Sequence, residues 1–296
     1  INKITTEVKA FIQGDVAIGD GETAGIKADS ITLKADDTSR ISAVTGTASL
    51  AGAAGGVAVG VSIGVAGAYN EISNDVAAYI ANADDGVKTT GGAISIKAKE
   101  AATINAISAA ASMAVGIGAF GGSISGAGAG ATNIILTNTK AYIDQSFVQG
   151  FGDVSISAEN TATIDATILS LSAAFSAGAG ALGISIGASV AQNFIGYDLD
   201  GNVVADSGDV LAYVEDSGIE TDGDLSLTAT ALEAITANVV AGSIAVSGGF
   251  VGLAASGSGA ESINKIGNQV QAFIDGDGIS TITAASILLA ATDSST

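Results

Sequence analysis

The feature that most constrains the fold is a strict two-residue alternation inside long stretches that carry no charge. In residues 57–66, Val or Ile at every odd position alternates with Ala, Gly or Ser at every even position. Side chains two residues apart share one face of a β-strand, whereas one face of a helix recurs every 3.6 residues. Val and Ile also favour strands, and frequent Gly disfavours a helix. The pattern therefore predicts strands with one aliphatic face and one nearly bare face.

The two faces predict different neighbours. We expect the Val and Ile side chains to fill the interior of a β-structure. The face of Gly, Ala and Ser allows another backbone to come close, so we expect it to pack on a neighbouring sheet, in the same chain or in an identical subunit. We also expect this bare face to carry self-association. The glycines expected in that contact are Gly60, Gly64, Gly116 and Gly118.

The chain is built from tandem repeats. An Asn-x-Ile motif recurs at intervals of 68, 63, 60 and 71 residues, and an aromatic residue follows each Asn. The Asn positions are Asn2, Asn70, Asn133, Asn193 and Asn264, and the aromatic positions are Phe11, Tyr79, Tyr142, Tyr213 and Phe273. The spacing from Asn to aromatic is nine residues in every copy but the fourth, where it is twenty. We expect the extra eleven residues, at about 196–206, to form a surface loop.

The repeats divide the chain into one continuous array. Repeats 1 to 4 span 1–69, 70–132, 133–192 and 193–263, and 264–296 is half of a fifth. The chain contains no Pro, which fits long hydrogen-bond ladders. We predict an all-β tandem-repeat fold, either a β-solenoid like a parallel β-helix with about three coils of roughly 20 residues per repeat, or a stack of strands and hairpins. Because the chain begins at Ile1 without a leader and stops in mid-repeat, we expect it to be part of a longer array.

The uncharged stretches are long enough to span a bilayer as helices, but their period is that of strands. A transmembrane β-barrel is the alternative that alternation allows. It is disfavoured because barrels carry aromatic girdles and a polar inner face, whereas aromatic residues here make up 4% and the second face is Gly and Ala. We expect no membrane insertion.

Charge and composition exclude several classes of function. The formal net charge of -20 would repel nucleic acid. The absence of Cys and His excludes disulfides, the usual zinc sites and His-based or Cys-based catalysis. The Asp and Glu residues recur in the turns of each repeat, whereas a catalytic pair is needed only once. We therefore expect solvated turn residues and no enzyme.

Calcium is the one ion that the sequence leaves open. Two Gly-containing acidic loops offer the oxygen ligands that Ca²⁺ prefers. The weak candidates are Asp198, Asp200, Asn202, Asp275 and Asp277. Neither loop completes an EF-hand, so turns stabilised by Asp and Asn without a metal are the preferred interpretation. We expect no other cofactor.

The repeated aromatic and Asn residues also have two interpretations each. The aromatic residues could form a ladder that binds sugar, but rings repeated within alternating strands more often pack across strands. We interpret them as packing residues that define the repeat. We expect the Asn side chains to satisfy turns by bonding nearby backbone, and not to bind a ligand.

The order of motifs resembles a known family. Each repeat runs from "AYI" through an acidic turn, "ISIKA", "ATINA" and a Gly/Ala/Ser/Val run to the next Asn-x-Ile. This order is similar to the repeats of giant bacterial surface proteins, the leukotoxin-type filamentous adhesins. The resemblance implies secretion to the bacterial cell surface, a parallel β-solenoid or related β-repeat, and no catalytic residues.

Two functions follow from that resemblance. The first is a structural array that builds an extracellular fibre or filament, whose partners are identical subunits. The alternative is the spacer stalk of an adhesin whose binding domain lies outside this chain. A host or cell-surface receptor is a further partner that the resemblance allows.

Overall fold

A computed structural model of the chain describes residues 1–14, 25–83, 86–276, 278 and 280–296. Within these residues the fold is all-β, with nineteen strands and no helix. The strands are β1 (Asn2–Gln13), β2 (Ile26–Ala28), β3 (Ile31–Asp37), β4 (Arg40–Ala81), β5 (Val87–Thr89), β6 (Ile94–Glu100), β7 (Thr103–Asp144), β8 (Phe147–Gly150), β9 (Val154–Asn160), β10 (Thr163–Ala177), β11 (Gly180–Ile195), β12 (Asp209–Glu215), β13 (Gly218–Thr221), β14 (Leu225–Ala231), β15 (Ala234–Gly248), β16 (Val251–Ile266), β17 (Gln269–Asp275), β18 (Ile282–Thr283) and β19 (Ile287–Asp293).

The strands form three parallel sheets. The first contains nine strands, in which β1, β4, β7, β10 and β15 follow one another and β11, β12, β16 and β17 complete the later repeats. The second contains β2, β5, β8, β13 and β18, and the third contains β3, β6, β9, β14 and β19. Each repeat therefore adds its strands to the same three sheets in the same order.

The register pairs each residue with its equivalent one repeat away. Asn70 of β4 lies opposite Asn2 of β1 and Asn133 of β7, and Tyr79 of β4 lies opposite Phe11 and Tyr142. The paired asparagines are 68 and 63 residues apart in sequence. The expectation of about three coils of 20 residues per repeat is therefore wrong, because each strand pairs with the strand of a full repeat away. Each repeat is thus a single long unit, and the uncharged stretches account for a large part of its length.

One hydrophobic core lies where the three sheets face each other. Ile80 of the first sheet, Val87 of the second and Ile96 of the third are fully buried in one cluster. We call this part the base. It comprises the second and third sheets and the segments 2–13, 70–81, 133–144, 209–215 and 269–275 of the first. Here the aliphatic side chains point inward, as expected.

The uncharged stretches project from the base as a two-layered structure, which we call the blade. Its outgoing layer contains residues 40–55, 103–117, 163–177 and 234–248, and its returning layer contains 57–69, 120–132, 180–192 and 251–263. The chain reverses at a column of glycines, Gly55, Gly118, Gly178 and Gly249. A Cβ at Gly178 would lie 2.0 Å from the carbonyl oxygen of Gly118, and one at Gly249 would lie 1.7 Å from that of Gly178. A Cβ would collide with backbone at Gly118, Gly178 and Gly249, so only glycine fits at these three positions.

The eleven-residue insertion leaves the first sheet between β11 and β12. The amide of Gly196 donates to the Ile135 carbonyl at 2.9 Å, and the amide of Gly208 donates to the Thr137 carbonyl at 2.7 Å. These bonds close the ladder beneath the insertion. Its Leu199 and Val203 are exposed. The insertion is thus a loop outside the sheet.

Candidate interaction surface

The inner side of the blade consists of small side chains, except next to the base, where Ile41, Ile104, Ile164 and Ile168 are buried in a second hydrophobic cluster. Ser49 of the outgoing layer forms a hydrogen bond with Ser62 of the returning layer, with 2.8 Å between their hydroxyl oxygens. The same pair recurs one and two repeats later, between Ser112 and Ser125 and between Ser172 and Ser185. Because each hydroxyl forms a hydrogen bond with its partner in the opposite layer, these serines can lie between the layers without water. The two layers are therefore joined by a column of serine pairs.

The glycines of this inner side lie against backbone of the opposite layer. A Cβ at Gly60 would be 2.6 Å from the Val115 carbonyl oxygen, and one at Gly64 would be 2.7 Å from that of Ala111. A Cβ at Gly116 would be 1.9 Å from the Gly122 carbonyl oxygen. The bare face therefore packs within the same chain. The expectation that Gly60, Gly64, Gly116 and Gly118 carry self-association between subunits is wrong, because this face is closed by the chain's own second layer.

Away from the base, the aliphatic side chains of the blade point outward instead. In the returning layer Val57, Val59, Val61, Ile63 and Val65 are all more than half exposed. In the outgoing layer the exposed set includes Leu50, Ile117, Leu171, Val240 and Ile244. The expectation that Val and Ile fill the interior holds next to the base, where Ile41, Ile104 and Ile164 are buried, and is wrong for the rest of the blade, because there the layers approach too closely for branched side chains. Contiguous exposed apolar patches on soluble proteins mark sites of interaction.

Charge is nearly absent from the blade, whose only charged residues are Arg40, Asp165 and Glu261 next to the base, and is concentrated at the base. The sequence has no Asp, Glu, Lys or Arg in residues 41–70, 101–139, 166–197 and 234–260. Ion pairs lie in the base, where Lys99 contacts Glu159 at 2.7 Å and Lys3 contacts Glu71 at 2.7 Å. These pairs are partly exposed and contribute little to stability. The blade is thus a neutral apolar surface on a strongly acidic chain.

The aromatic residues of the repeats form one stacked column on the outer side of the base. Successive rings from Phe11 through Tyr79, Tyr142 and Tyr213 to Phe273 lie 4.8 to 5.1 Å apart, with interplanar angles of 2° to 7°. A sugar stacks on an open ring face, but these faces cover one another. The column therefore packs across strands and offers no extended platform for a sugar.

The repeated asparagines form a second column. The side-chain amide of Asn2 donates to the amide oxygen of Asn70, and the bond repeats through Asn133 and Asn193 to Asn264, each at 2.8 Å. The residues lie within strands, and the three central ones are fully buried. The expectation that they bond backbone at turns is wrong, because the parallel register places identical amides one above another.

We expect replacement of Asn133 by Ala to destabilise the chain by about 3 kcal/mol, because it leaves the buried amide groups of Asn70 and Asn193 without partners. The midpoint of urea unfolding, followed by circular dichroism, measures the change. Asn264 is the matched control, since it is exposed and sits at the end of the column. Equal losses for Asn133→Ala and Asn264→Ala would contradict a role for the buried column.

Four of the five calcium candidates lie within the residues that the structure describes. Asp198 accepts hydrogen bonds from the backbone amide of Asn202 at 2.8 Å and from the Asn202 side-chain amide at 3.3 Å, and these bonds close the loop. The backbone bond from Asn202 lowers the pKa of Asp198. Asp200 lies in this loop, Asp275 ends β17, and Asp277 lies outside the described residues. Within the part of the chain that the structure describes, no group of three or more Asp or Glu residues could hold a metal ion.

Two buried glutamates were missed by the sequence analysis. Glu100, which ends β6, and Glu233, which precedes β15, are both fully buried. One oxygen of Glu100 accepts a bond from Asn74 at 3.4 Å, one oxygen of Glu233 accepts a bond from Asn160, and the second oxygen of each has no partner. Burial is the main cause that raises the pKa of each to about 8, and the neighbouring Asp37 adds to the effect at Glu100. Both carboxyls are therefore mostly protonated at neutral pH.

Comparison of the chain with family models, curated proteins and solved structures finds no match. The described residues also contain no helix with the length and hydropathy needed to cross a membrane.

Proposed function

We propose that this chain is a structural repeat segment of a secreted bacterial surface fibre, folded as a parallel β-solenoid in which each repeat is one turn. The observation that carries the proposal is the register, which pairs every strand with its equivalent in the next repeat. Such an array grows along one axis, and its thickness does not change with the number of repeats.

The columns of identical residues support a rigid array. The asparagine column, the serine pairs and the stacked rings each repeat the same contact in successive turns. Each turn therefore stabilises the next one. The composition supports a structural role as well, since the chain has no His or Cys with which to build the common catalytic groups.

The edges of the sheets favour growth by further turns. Among the described residues, β1, β2 and β3 pair on one side only, with β4, β5 and β6, and β17, β18 and β19 pair only with β12, β13 and β14. Exposed parallel edges with free backbone groups are templates for another strand. Further repeats of this kind would satisfy both edges.

The experiment that tests the proposal lengthens the array. Three additional copies of residues 70–192 should lengthen the particle by about 29 Å, since each of the six added turns contributes about 4.8 Å. Small-angle X-ray scattering at low protein concentration measures length and cross-section separately. We expect a constant cross-section, and a particle that grows in all dimensions would overturn the proposal.

The second candidate function, the spacer stalk of an adhesin, is compatible with the same architecture. The aromatic column favours this function over direct sugar binding, because its ring faces are already occupied. We expect this segment alone to bind neither glycan arrays nor host cells. Binding of the isolated segment to either would identify it as the adhesive part itself.

A further inference from the structure

The blade leaves two broad apolar faces without a partner. Four stacked strands spaced about 4.8 Å apart make each face roughly 19 Å wide, and the fifteen residues of β10 or β15, rising about 3.3 Å each, make it roughly 50 Å long. Both faces carry exposed Val, Ile, Leu and Phe interrupted by Gly and Ala, and their charged residues, Arg40, Asp165 and Glu261, lie at the end next to the base. A surface of this size and composition requires an occupant.

We propose that the occupant is a second copy of this chain, and that the returning face of one blade packs on the outgoing face of the next. The proposal rests on the structural role proposed above and names the surface through which such arrays associate side by side.

The area of the faces matches a stable interface. One blade face covers roughly 900 Å², so two facing blades bury about 1,800 Å² in total, within the range of specific protein complexes. The flat faces also share one strand spacing, because all strands of the blade are in register. The rows of side chains on two copies therefore repeat at the same interval.

The relief of the two faces is complementary. On the returning face Val61, Ile124 and Ile184 occupy equivalent positions in adjacent strands and form a ridge across the sheet. On the outgoing face a trough of about 460 Å³ is lined by Ala111, Leu171 and Gly242, and the Leu171 side chain extends over Gly242. A ridge on one side and a trough on the other favour contact between unlike faces, and contact between unlike faces leaves a free face at each end of the stack.

Electrostatics favours a second copy over other partners. A chain of net charge -20 repels its own copies, except where the surfaces that meet are neutral. The charged residues of the blade, Arg40, Asp165 and Glu261, lie at its junction with the base, so two blades can meet over their uncharged parts while their acidic bases stay at the periphery. A bilayer core is a poor occupant, because the outer strands of the blade, in β4 and in β15 and β16, each have one unpaired edge whose backbone groups lipid cannot satisfy.

The test places charge on one face at a time. Val61→Glu with Ile186→Glu alters the returning face, and Leu50→Glu with Ile244→Glu alters the outgoing face. The control, Leu199→Glu with Val203→Glu, makes the same change of charge at exposed positions in the insertion. All six side chains are more than half exposed, so the fold should tolerate each pair of changes.

Sedimentation velocity over a range of concentrations gives the readout. We expect wild type and control to associate, and each face variant to associate at least about 10-fold more weakly, because a buried unpaired carboxylate is costly. An equimolar mixture of the two face variants should form 1:1 dimers, since each retains the face that the other lacks.

Three results would overturn the inference. They are a wild-type chain that stays monomeric at every concentration, a face variant that associates as strongly as wild type, or a wild-type chain that is monomeric in buffer but floats with phosphatidylcholine vesicles. Scattering on the lengthened array is made on dilute chains and tests the solenoid proposal by itself, so a rod that stays monomeric at every concentration in sedimentation would refute the blade contact and leave the solenoid proposal intact.

Discussion

Replacing Gly116 by Ala should unfold the blade while the base stays folded. The new Cβ would lie 1.9 Å from the Gly122 carbonyl oxygen and 2.7 Å from its carbon, both of them backbone atoms of the facing layer. No rotation of a side chain can relieve such a contact, so the layers must separate. Overpacking that moves backbone costs about 3 kcal/mol or more. We expect a loss of at least that size, confined to the blade.

The matched control lies in the same strand. Gly126 of β7 is on the outer face, and its nearest neighbour is the Ile63 side chain at 4.0 Å. Ala fits there without displacement and restricts the unfolded chain, so Gly126→Ala should stabilise the protein by about 0.5 kcal/mol. The two variants differ only in which side of one strand receives a methyl group.

Hydrogen exchange with mass spectrometry separates blade from base. In Gly116→Ala we expect faster exchange in residues 103–132 and unchanged protection in residues 141–160, because local opening is read as a local loss of protection. Similar exchange in Gly116→Ala and Gly126→Ala would show that the layers are not in close contact. Global loss of protection would show that the blade and base unfold as one unit.

The sequence reveals the strands and their faces but leaves open which face is buried. Alternation in residues 57–66 separates branched from small side chains, and the usual preference for buried aliphatics assigns the branched set to the interior. That preference applies in the base, where Ile80 and Ile96 are buried. It fails in the part of the blade away from the base, because the close approach of the layers there depends on where the chain reverses. The reversal is a tertiary property that local alternation does not encode.

A comparison of the repeats with one another contains the missing signal. The inner side carries Ser at 49, 112, 172 and 243, and again at 62, 125, 185 and 256. An outer position varies from Ile63 through Gly126 and Ile186 to Gly257. A position that faces a tightly packed seam tolerates one size of side chain, whereas an outward position tolerates several. Invariance across repeats therefore marks the buried face more reliably than hydrophobicity does in this chain.

The buried glutamates illustrate a different limit. Glu100 follows "IKAK" at the end of a strand, a position at which a carboxylate is ordinarily solvated. Its burial results from the register that places Asp37 and Asn160 at the equivalent positions of neighbouring repeats. The first sheet closes over this row, with Asn74 as the partner of Glu100. The burial of Glu100 depends on how the first and third sheets are placed relative to each other, and the sequence does not indicate that placement.

We expect the protein to lose stability as the pH rises from about 4.5 to about 8. Burial, with a contribution from Asp37, raises the pKa of Glu100 to about 8, and burial raises that of Glu233 to about 8. In the unfolded chain both titrate near 4.5, so between these pH values the folded state binds more protons than the unfolded state. The stabilisation is complete below about pH 4.5 and is lost by the time the pH has passed 8. Each pKa unit corresponds to about 1.4 kcal/mol, so the two carboxyls together contribute several kcal/mol.

The variant that tests this expectation is the double change Glu100→Gln and Glu233→Gln, which keeps the shape of both side chains without a titrating group. Urea unfolding at intervals between pH 4.5 and 10 should show a flatter dependence than in wild type, with the variant more stable above pH 8. Glu159→Gln is the control of opposite sign, because hydrogen bonding to Lys99 lowers the pKa of Glu159, whose contribution is lost only as the pH falls. The control should keep the wild-type decline towards pH 8. If the stability of the double variant declines with pH as steeply as that of wild type, Glu100 and Glu233 are not the groups whose titration causes the decline. They would then not be the buried, protonated carboxyls that stabilise the base at neutral pH.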